Sequence, residues 1–269
     1  VYVVFSPGCV LSKLIAVPVC PEESYFFFNS RTGKSLTDKM TMAELANDWL
    51  CKVLGTDDFC HPKIWPAREP LVQARDMTDS LRRQGARRII TLNFGVGGNL
   101  RKRVGWAFEE KLLLALLQEP RTILFLDRGA GSQEWEASGQ LLQSMATHGY
   151  QVRDTLFSRE SDMDMGHGII GIQTRFGEIA ALIASSDEFI GYDSACQHIA
   201  AALEVPCSTV FAGSNNMRFI RRWSACGQNS SRIIHVDTLN ISRGIDVQDI
   251  VVRVMHQRDA AGMTAGARS

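Results

Sequence analysis

The sequence predicts an α/β fold built around a doubly wound parallel sheet. From Gly85 onward, short apolar runs rich in β-branched residues alternate with helical stretches of about ten residues or more. This alternation is typical of right-handed βαβ units, in which helices cover both faces of a parallel sheet. The chain has 269 residues and is 45% hydrophobic, which is enough for one large domain or two smaller domains with cores of their own.

Six strands and five helices are predicted in this region, in strict alternation over most of its length. The strands are expected at 87–94, 122–127, 150–157, 188–192, 207–212 and 232–236, and the helices at 106–118, 133–148, 175–186, 194–203 and 247–256. Ligands of open parallel sheets bind at the carboxyl ends of the strands. We therefore expect a site among the loops that follow Phe94, Asp127, Phe157, Tyr192 and Ala212.

The first eighty residues or so are less regular. Two short strands joined by a turn are predicted in the first twenty residues, a strand within 24–30, a helix over 41–54, and an extended, proline-rich linker over 61–70. The tail beyond Arg258 is expected to be disordered. The chain is thus divided into a partial second domain with linker over 1–70, the main domain over 71–258 and a tail over 259–269.

Charge and cysteine content exclude several classes of function. Lys plus Arg and Asp plus Glu both number 29, so no net field attracts nucleic acid or an anionic membrane. The seven cysteines include no C-x-x-C pair and no zinc-type spacing, which indicates reduced thiols and a cytoplasmic location. No apolar run is long enough to span a bilayer, so we expect no integral membrane segment and no nucleic-acid partner.

The turn after Tyr192 is the best-supported candidate for a ligand-binding site. Ser194 and Gln197 have the S-x-x-Q spacing of a capping box, which predicts a helix that begins at Asp193 or Ser194. The unpaired amides of such a helix start, together with its dipole, favour a phosphate, and small residues at 195 and 196 allow close approach. An ordinary capped helix is the alternative and is commoner for so short a motif. By itself, His198 is more typical of a half-buried histidine with satisfied hydrogen bonds.

The loop over 93–106 combines glycines with cations. The glycines permit positive φ and close backbone approach, and the cations come just before a predicted helix, where they oppose its dipole. A bound polyphosphate would turn this unfavourable interaction with the dipole into a favourable one with the phosphates. The alternative interpretation is a basic turn exposed to solvent. The residues concerned are Gly95, Gly97, Gly98, Arg101, Lys102 and Arg103.

Two further patterns carry less weight. The run RTGKS at 31–35 resembles the end of a P-loop, but Phe28 stands where the first glycine is required and no helix clearly follows. The run DMD at 162–164 has the spacing with which some sugar transferases hold a divalent ion. A short acidic pattern in a polar loop is usually solvated surface, so no metal is expected.

Three segments together resemble a known family. The segments RRIITLNFGVGGNLRKR, TILFLDRGAGSQEWEASGQLL and FGEIAALIASSDEFIGYDSACQHIAAALEVPCSTVFAG are similar to the carboxyl-terminal half of glycosyltransferase family nine, the ADP-heptose:lipopolysaccharide heptosyltransferases of GT-B fold. The resemblance covers 24–237 and is most specific over 176–213. It implies a Rossmann-like domain that binds a nucleotide-sugar donor.

The resemblance also implies roles for individual residues. Lys102, in a Lys-Arg pair with Arg103 in the glycine loop that includes Gly97, matches the lysine that meets the donor phosphates. Asp193 matches the acid at the donor sugar. Ser194, with the amides of Ala195 and Cys196, matches the turn that holds the diphosphate, and His198 matches a histidine of the same motif. Glu134 is the best match to the carboxylate that binds the ribose, with Glu136 left open.

The implied reaction transfers a sugar from the nucleotide diphosphate to a hydroxyl of a glycan or lipid-linked acceptor, without a metal or another cofactor. The helix dipole and the cations would stabilise the leaving diphosphate. Such an enzyme would be cytoplasmic, with peripheral association at the inner membrane left open.

The chain also departs from the family pattern. Ala195 replaces a glycine, NFG replaces Asn-Pro-Gly, and GSNNMRF replaces a Pro-Thr-x-Pro loop. The glycine-rich Gly-Asp loop that supplies the catalytic base has no match, so the catalytic residue stays unknown and residues 1–70 are expected to be the last third of that domain. Two hypotheses follow: a surface-glycan glycosyltransferase, or a truncated or degenerate module that binds the donor without transfer. A sugar-nucleotide epimerase is a third and weaker one.

Overall fold

A computed structural model describes residues 40–157, 164–229, 231–240 and 244–266, with side chains up to Arg258, and the backbone of two short strands near the start. The strands are β1 Tyr2–Val4, β2 Tyr25–Phe27, β3 Arg88–Asn93, β4 Thr122–Asp127, β5 Val152–Leu156, β6 Gly168–Gln173, β7 Glu188–Tyr192, β8 Cys207–Phe211 and β9 Ser231–His235. The helices are α1 Met42–Leu54, α2 Arg68–Arg83, α3 Trp106–Leu117, α4 Ser132–Thr147, α5 Phe176–Ala184, α6 Ala195–Ala202, α7 Met217–Trp223 and α8 Val247–Gly266, with a 3-10 turn at Leu100–Lys102.

Seven strands form one parallel sheet in the order β5-β6-β4-β3-β7-β8-β9, while β1 pairs with β2 in parallel. The chain leaves β3 toward β4, β6 and β5 on one side, and then returns to place β7 on the other side of β3. This reversal is the topological switch point of a doubly wound sheet. The predicted fold class is therefore confirmed.

Helices cover both faces of the sheet. Buried apolar residues of α3, α4 and α8 pack on one face, and those of α2, α5 and α6 pack on the other. Burying each large aliphatic or aromatic side chain contributes about 1.5–3 kcal/mol, so the two layers hold the strand ends in fixed positions. Within the described part of the chain, no helix is long and apolar enough to cross a membrane.

The first described helix, α1, begins with a capping box. The Thr41 hydroxyl accepts from the Glu44 amide at 3.2 Å, and the Glu44 carboxylate accepts from the Thr41 amide at 2.7 Å. These reciprocal bonds satisfy two amides that the helix itself leaves unpaired. Helix α1 then ends at Gly55, which has φ +66°.

Several elements differ from the prediction. The sheet contains a seventh strand, β6, which is not among the predicted strands, and α7 lies in a segment for which a loop is expected. The linker predicted over 61–70 is wrong at its end, because α2 begins at Arg68. Proline is tolerated in the first helical turn, where its missing N–H has no partner in any case, so Pro70 does not prevent the helix. The last helix, expected to end at 256, runs to Gly266.

Some expectations fall outside the described residues. These are the predicted turn and second strand in the first twenty residues, the RTGKS run at 31–35, and the first two residues of the DMD run at 162–164. The division of the chain into three parts stays a prediction.

Candidate functional site

The site lies where the carboxyl ends of β3 and β7 meet at the switch point. The loop from Phe94 to Gly105 leaves β3, and the turn at Asp193 and Ser194 leads from β7 into α6. Asn93 is paired with Gly191 in the register of the two strands, so both loops begin at the same height of the sheet. The two loops that the sequence singled out therefore face one crevice.

An ion pair joins the two loops. The Lys102 ammonium lies 2.7 Å from Oδ2 of Asp193 and donates to the Asp193 carbonyl at 3.3 Å. The Asp193 side chain is 8% exposed and that of Lys102 is 28% exposed. Among the described residues, these contacts use two of the three ammonium donors, which leaves one N–H for a ligand in the crevice.

The predicted capping box at Ser194 is wrong. Ser194 makes no side-chain cap, and the Gln197 amide donates instead to Oδ1 of Asp193 at 2.8 Å and to the Trp223 carbonyl at 3.2 Å. Gln197 is fully buried, and its side-chain amide is engaged with the Asp193 carboxylate in a charge-assisted hydrogen bond, so it does not cap the Ser194 backbone N–H as a capping box requires. The buried Ser194 hydroxyl and the Gln197 carbonyl oxygen make no hydrogen bond to any described residue.

The first turn of α6 combines small and polar residues. Ala195 is exposed and Cys196 is buried, and burial raises the pKa of the Cys196 thiol to about 12. The thiol is therefore protonated and does not act as an anion. His198 is exposed at its surface, but the atoms packed around the rest of its ring partly desolvate it and lower its pKa. The Asp193 carboxylate opposes this shift, and the Lys102 ammonium adds to it. Its imidazole is then neutral at pH 7.

Glu134 connects two other loops of the crevice. Its carboxylate accepts from the Val96 amide at 3.2 Å and from the Ala130 amide at 3.1 Å. Gly129, with φ +76°, lies so close that a Cβ there would be 2.5 Å from the Glu134 side chain. Glu136, the alternative that the sequence left open, is exposed on the same helix.

A second carboxylate ties the ends of three neighbouring strands together. Oδ2 of Asp127 accepts from the Asn93 amide at 2.6 Å, and Oδ1 accepts from the Thr174 hydroxyl at 2.9 Å. Burial raises the pKa of Asp127, while these donors lower it. Sequence reasoning missed this network because Thr174 follows β6, the strand that it did not predict.

The remaining predicted residues lie in the loop after β3. Gly97 is exposed with φ +59°, and nothing lies within 4 Å of where its Cβ would be. The Arg103 guanidinium does not face the crevice as a free cation, because it forms an ion pair with the fully buried Glu109. Among the described residues, no group of three His, Cys, Asp or Glu side chains is placed to hold a metal ion.

A second concavity, of about 700 Å³, lies at the opposite edge of the sheet. Its lining comes from the turns that precede β3, β4, β5 and β6, and includes Arg121, Tyr150 and His167. The two edges are separated by the length of the strands, so a ligand can be assigned to one or the other by experiment.

Comparison with known proteins bears on the fold and the family. Residues 159–240 match the model of glycosyltransferase family 9 (heptosyltransferase). The match contains β7, the turn at Asp193 and all of α6, and it confirms the family resemblance predicted from the sequence. The similarity of the chain is therefore to glycosyltransferases. No curated protein matches the sequence.

Solved structures of related fold were also found. A glycosyl transferase family 9 protein from Veillonella parvula is 15% identical with a TM-score of 0.53, over 82% of this chain and 55% of that one. The E. coli heptosyltransferase WaaC with ADP is 14% identical with a TM-score of 0.49, over 75% and 52%. E. coli ADP-heptose lps heptosyltransferase II is 16% identical with a TM-score of 0.45, over 74% and 56%. The Veillonella protein confirms the fold, and the chain spans about half the length of these structures.

Proposed function

We propose that this chain binds a nucleoside-diphosphate sugar of the ADP-heptose type in the crevice between β3 and β7, for transfer to a lipopolysaccharide or other surface-glycan acceptor. The observation that carries the proposal is the contact between Lys102 and Asp193. It brings a cation from a glycine loop to the start of a helix, which is the arrangement that an anionic diphosphate requires.

The proposed donor site has three parts. The diphosphate contacts Lys102 and the first amides of α6 at Ala195 and Cys196, with the unpaired Ser194 hydroxyl as a further donor. The sugar lies near Asp193 and His198, and the ribose lies at Glu134, beside the open glycine loop at Gly97. No metal or other cofactor is included, because the ammonium and the helix dipole supply the positive charge that the leaving diphosphate needs.

Calorimetry with ADP tests the site. Replacing Lys102 with alanine removes a charge-assisted hydrogen bond, which contributes about 1.5–3 kcal/mol, so ADP affinity should fall at least about tenfold. The matched control is Lys111→Ala, which removes the same charge from an exposed position in the middle of α3. An equal affinity of the native chain and Lys102→Ala, or an equal loss in both variants, contradicts the proposal.

A second candidate function is donor binding without transfer. It requires only the crevice between β3 and β7, whose Lys102–Asp193 ion pair lies within the described residues. Incubation of the chain with ADP-heptose and a lipopolysaccharide acceptor separates the two functions. Release of ADP that depends on the acceptor supports transfer, whereas tight ADP-heptose binding with no ADP release supports the binding module.

A further inference from the structure

The loop that carries Lys102 is anchored by a buried carboxylate. Glu109, on the first turn of α3, is fully buried and accepts from Nε of Arg103 at 2.9 Å and from Nη2 of the same guanidinium. Tyr192, the last residue of β7, donates its hydroxyl to Oε1 of Glu109 at 2.9 Å. The same hydroxyl accepts from the Val104 amide at 3.1 Å. One carboxylate thus joins α3, β7 and the loop from Phe94 to Gly105, which we call the cationic loop.

The charges of this network are balanced. The hydrogen bond from Arg103 to Glu109 is the largest cause that raises the pKa of Arg103, so the guanidinium stays charged opposite the carboxylate. Burial raises the pKa of Tyr192 well above its ordinary value, and Glu109 raises it further, so the phenol stays neutral and donates. Paired, hydrogen-bonded charges of this kind tolerate burial, and the geometry they impose is rigid because each donor has one acceptor.

The network is adjacent in sequence to both halves of the ion pair in the crevice. Arg103 follows Lys102, and Tyr192 precedes Asp193. We propose that Glu109, Arg103 and Tyr192 are positioning residues that hold the Lys102 ammonium against Asp193, where it meets the donor phosphates. In this arrangement Arg103 fixes the loop and is not itself a ligand of the donor. The inference rests on the proposed function for its last step, the contact with the donor.

Tyr192→Phe is the variant that tests this positioning role most specifically. It keeps the ring that packs against Phe94 and Phe108, with centroids 5.7 and 6.3 Å away, and removes only the hydroxyl. The matched control is Glu188→Gln at the other end of β7. Glu188 is 1% exposed and pairs with Arg232 and Arg258 at 2.7 and 2.8 Å, so this control disturbs a buried network at the opposite edge of the sheet.

Both variants should lower the stability of the chain, but only Tyr192→Phe should weaken ADP binding, by roughly fivefold or more, as expected for one lost hydrogen bond. Calorimetry well below the unfolding temperature of each variant measures this. In a Lys102→Ala background the loss caused by Tyr192→Phe should largely disappear, because it acts through Lys102. The same loss in both backgrounds, or an equal loss in Glu188→Gln, overturns the positioning role.

Amide hydrogen exchange tests, without any ligand, whether the network holds the loop that carries Lys102. The Lys102 amide donates to the Asn99 carbonyl at 3.0 Å inside the 3-10 turn. Tyr192→Phe should speed its exchange more than Glu188→Gln does at the same loss of global stability. Unchanged exchange in Tyr192→Phe overturns the positioning role even if the native chain binds ADP. A native chain that binds no ADP refutes the proposed function, while faster exchange would still show that the network holds the loop.

Discussion

Lys102 and Asp193 stand 91 residues apart in the chain and form a 2.7 Å ion pair across the switch point of the sheet. The aspartate lies at the start of a helix, where a carboxylate already interacts favourably with the dipole. The ammonium therefore neutralises a charge that would otherwise repel a diphosphate. The pair makes one small region suitable for both the anionic and the sugar part of a donor.

Asp193→Asn should affect binding of the sugar part of the donor without weakening binding of the diphosphate. The variant removes a charge that competes with phosphate for Lys102, so ADP should bind at least as tightly as it does to the native chain. The preference for ADP-heptose over ADP should fall by about tenfold, which corresponds to the loss of a charge-assisted hydrogen bond to the sugar. Calorimetry with both ligands measures the ratio, and Asp249→Asn on the exposed side of α8 is the control. An unchanged ratio contradicts a role for Asp193 at the sugar.

Glu134→Gln should weaken ADP more than pyrophosphate. In the native chain both carboxylate oxygens accept backbone amides, at 3.2 and 3.1 Å, so the glutamine amide group places a donor against a donor in one of these positions. Losing this acceptor and the ribose contact together should reduce ADP affinity about tenfold. Glu136→Gln, exposed on the same helix, is the control in a competition assay. Equal losses for ADP and pyrophosphate would show that Glu134 only supports the loop.

Gly213→Ala should displace the cationic loop, which Gly213 contacts although it is far from it in sequence. Gly213 has φ +75°, and a Cβ there would lie 2.4 Å from the Arg101 carbonyl oxygen. The left-handed backbone alone costs about 1–2 kcal/mol, and the clash must also displace the 3-10 turn that carries Lys102. Gly85→Ala has φ +101° but no atom within 4 Å, and it lies at the opposite edge. Urea unfolding should show that both variants are destabilised. Only Gly213→Ala should lose ADP affinity. If Gly213→Ala binds ADP as tightly as the native chain does, Gly213 does not support the site.

Asp127 should make the stability of the chain fall as pH rises. Burial raises its pKa, so the folded carboxyl binds a proton more tightly than the unfolded one. Stability is then lost between the ordinary aspartate pKa of about 4 and the higher folded value. Urea unfolding of the native chain and of Asp127→Asn at a series of pH values measures the difference. The native chain should lose stability relative to the variant across this window, and a relative gain would mean that Asn93 and Thr174 outweigh burial.

The crevice could be predicted from the sequence because its two loops have local signatures. Glycines and cations after β3, and an acid with small residues after β7, are readable without knowledge of the fold. Their meeting follows from the parallel topology, in which the carboxyl ends of adjacent strands share an edge.

Other features depend on contacts that a sequence pattern does not contain. Strand β6 was missed because glycines interrupt its apolar run; a Cβ at Gly171 would lie 2.4 Å from Leu142 of α4, so close helix packing explains the glycine. The predicted cap at Ser194 failed because Gln197 reaches Asp193 and the end of α7 instead. In the sequence, Glu109 is simply one of the charged residues of a predicted helix. Its role becomes apparent only from its contact with the Tyr192 hydroxyl in the structure.

The most direct test of the donor site is an NMR titration of the ¹⁵N-labelled chain with ADP. The largest amide shifts are expected at Lys102, Ala195 and Cys196, which lie at the meeting point of the β3 loop and α6, and they should be absent in Lys102→Ala at the same ADP concentration. Shifts that cluster around Arg121 and His167 at the opposite edge of the sheet, or no shifts at millimolar ADP, would contradict the account.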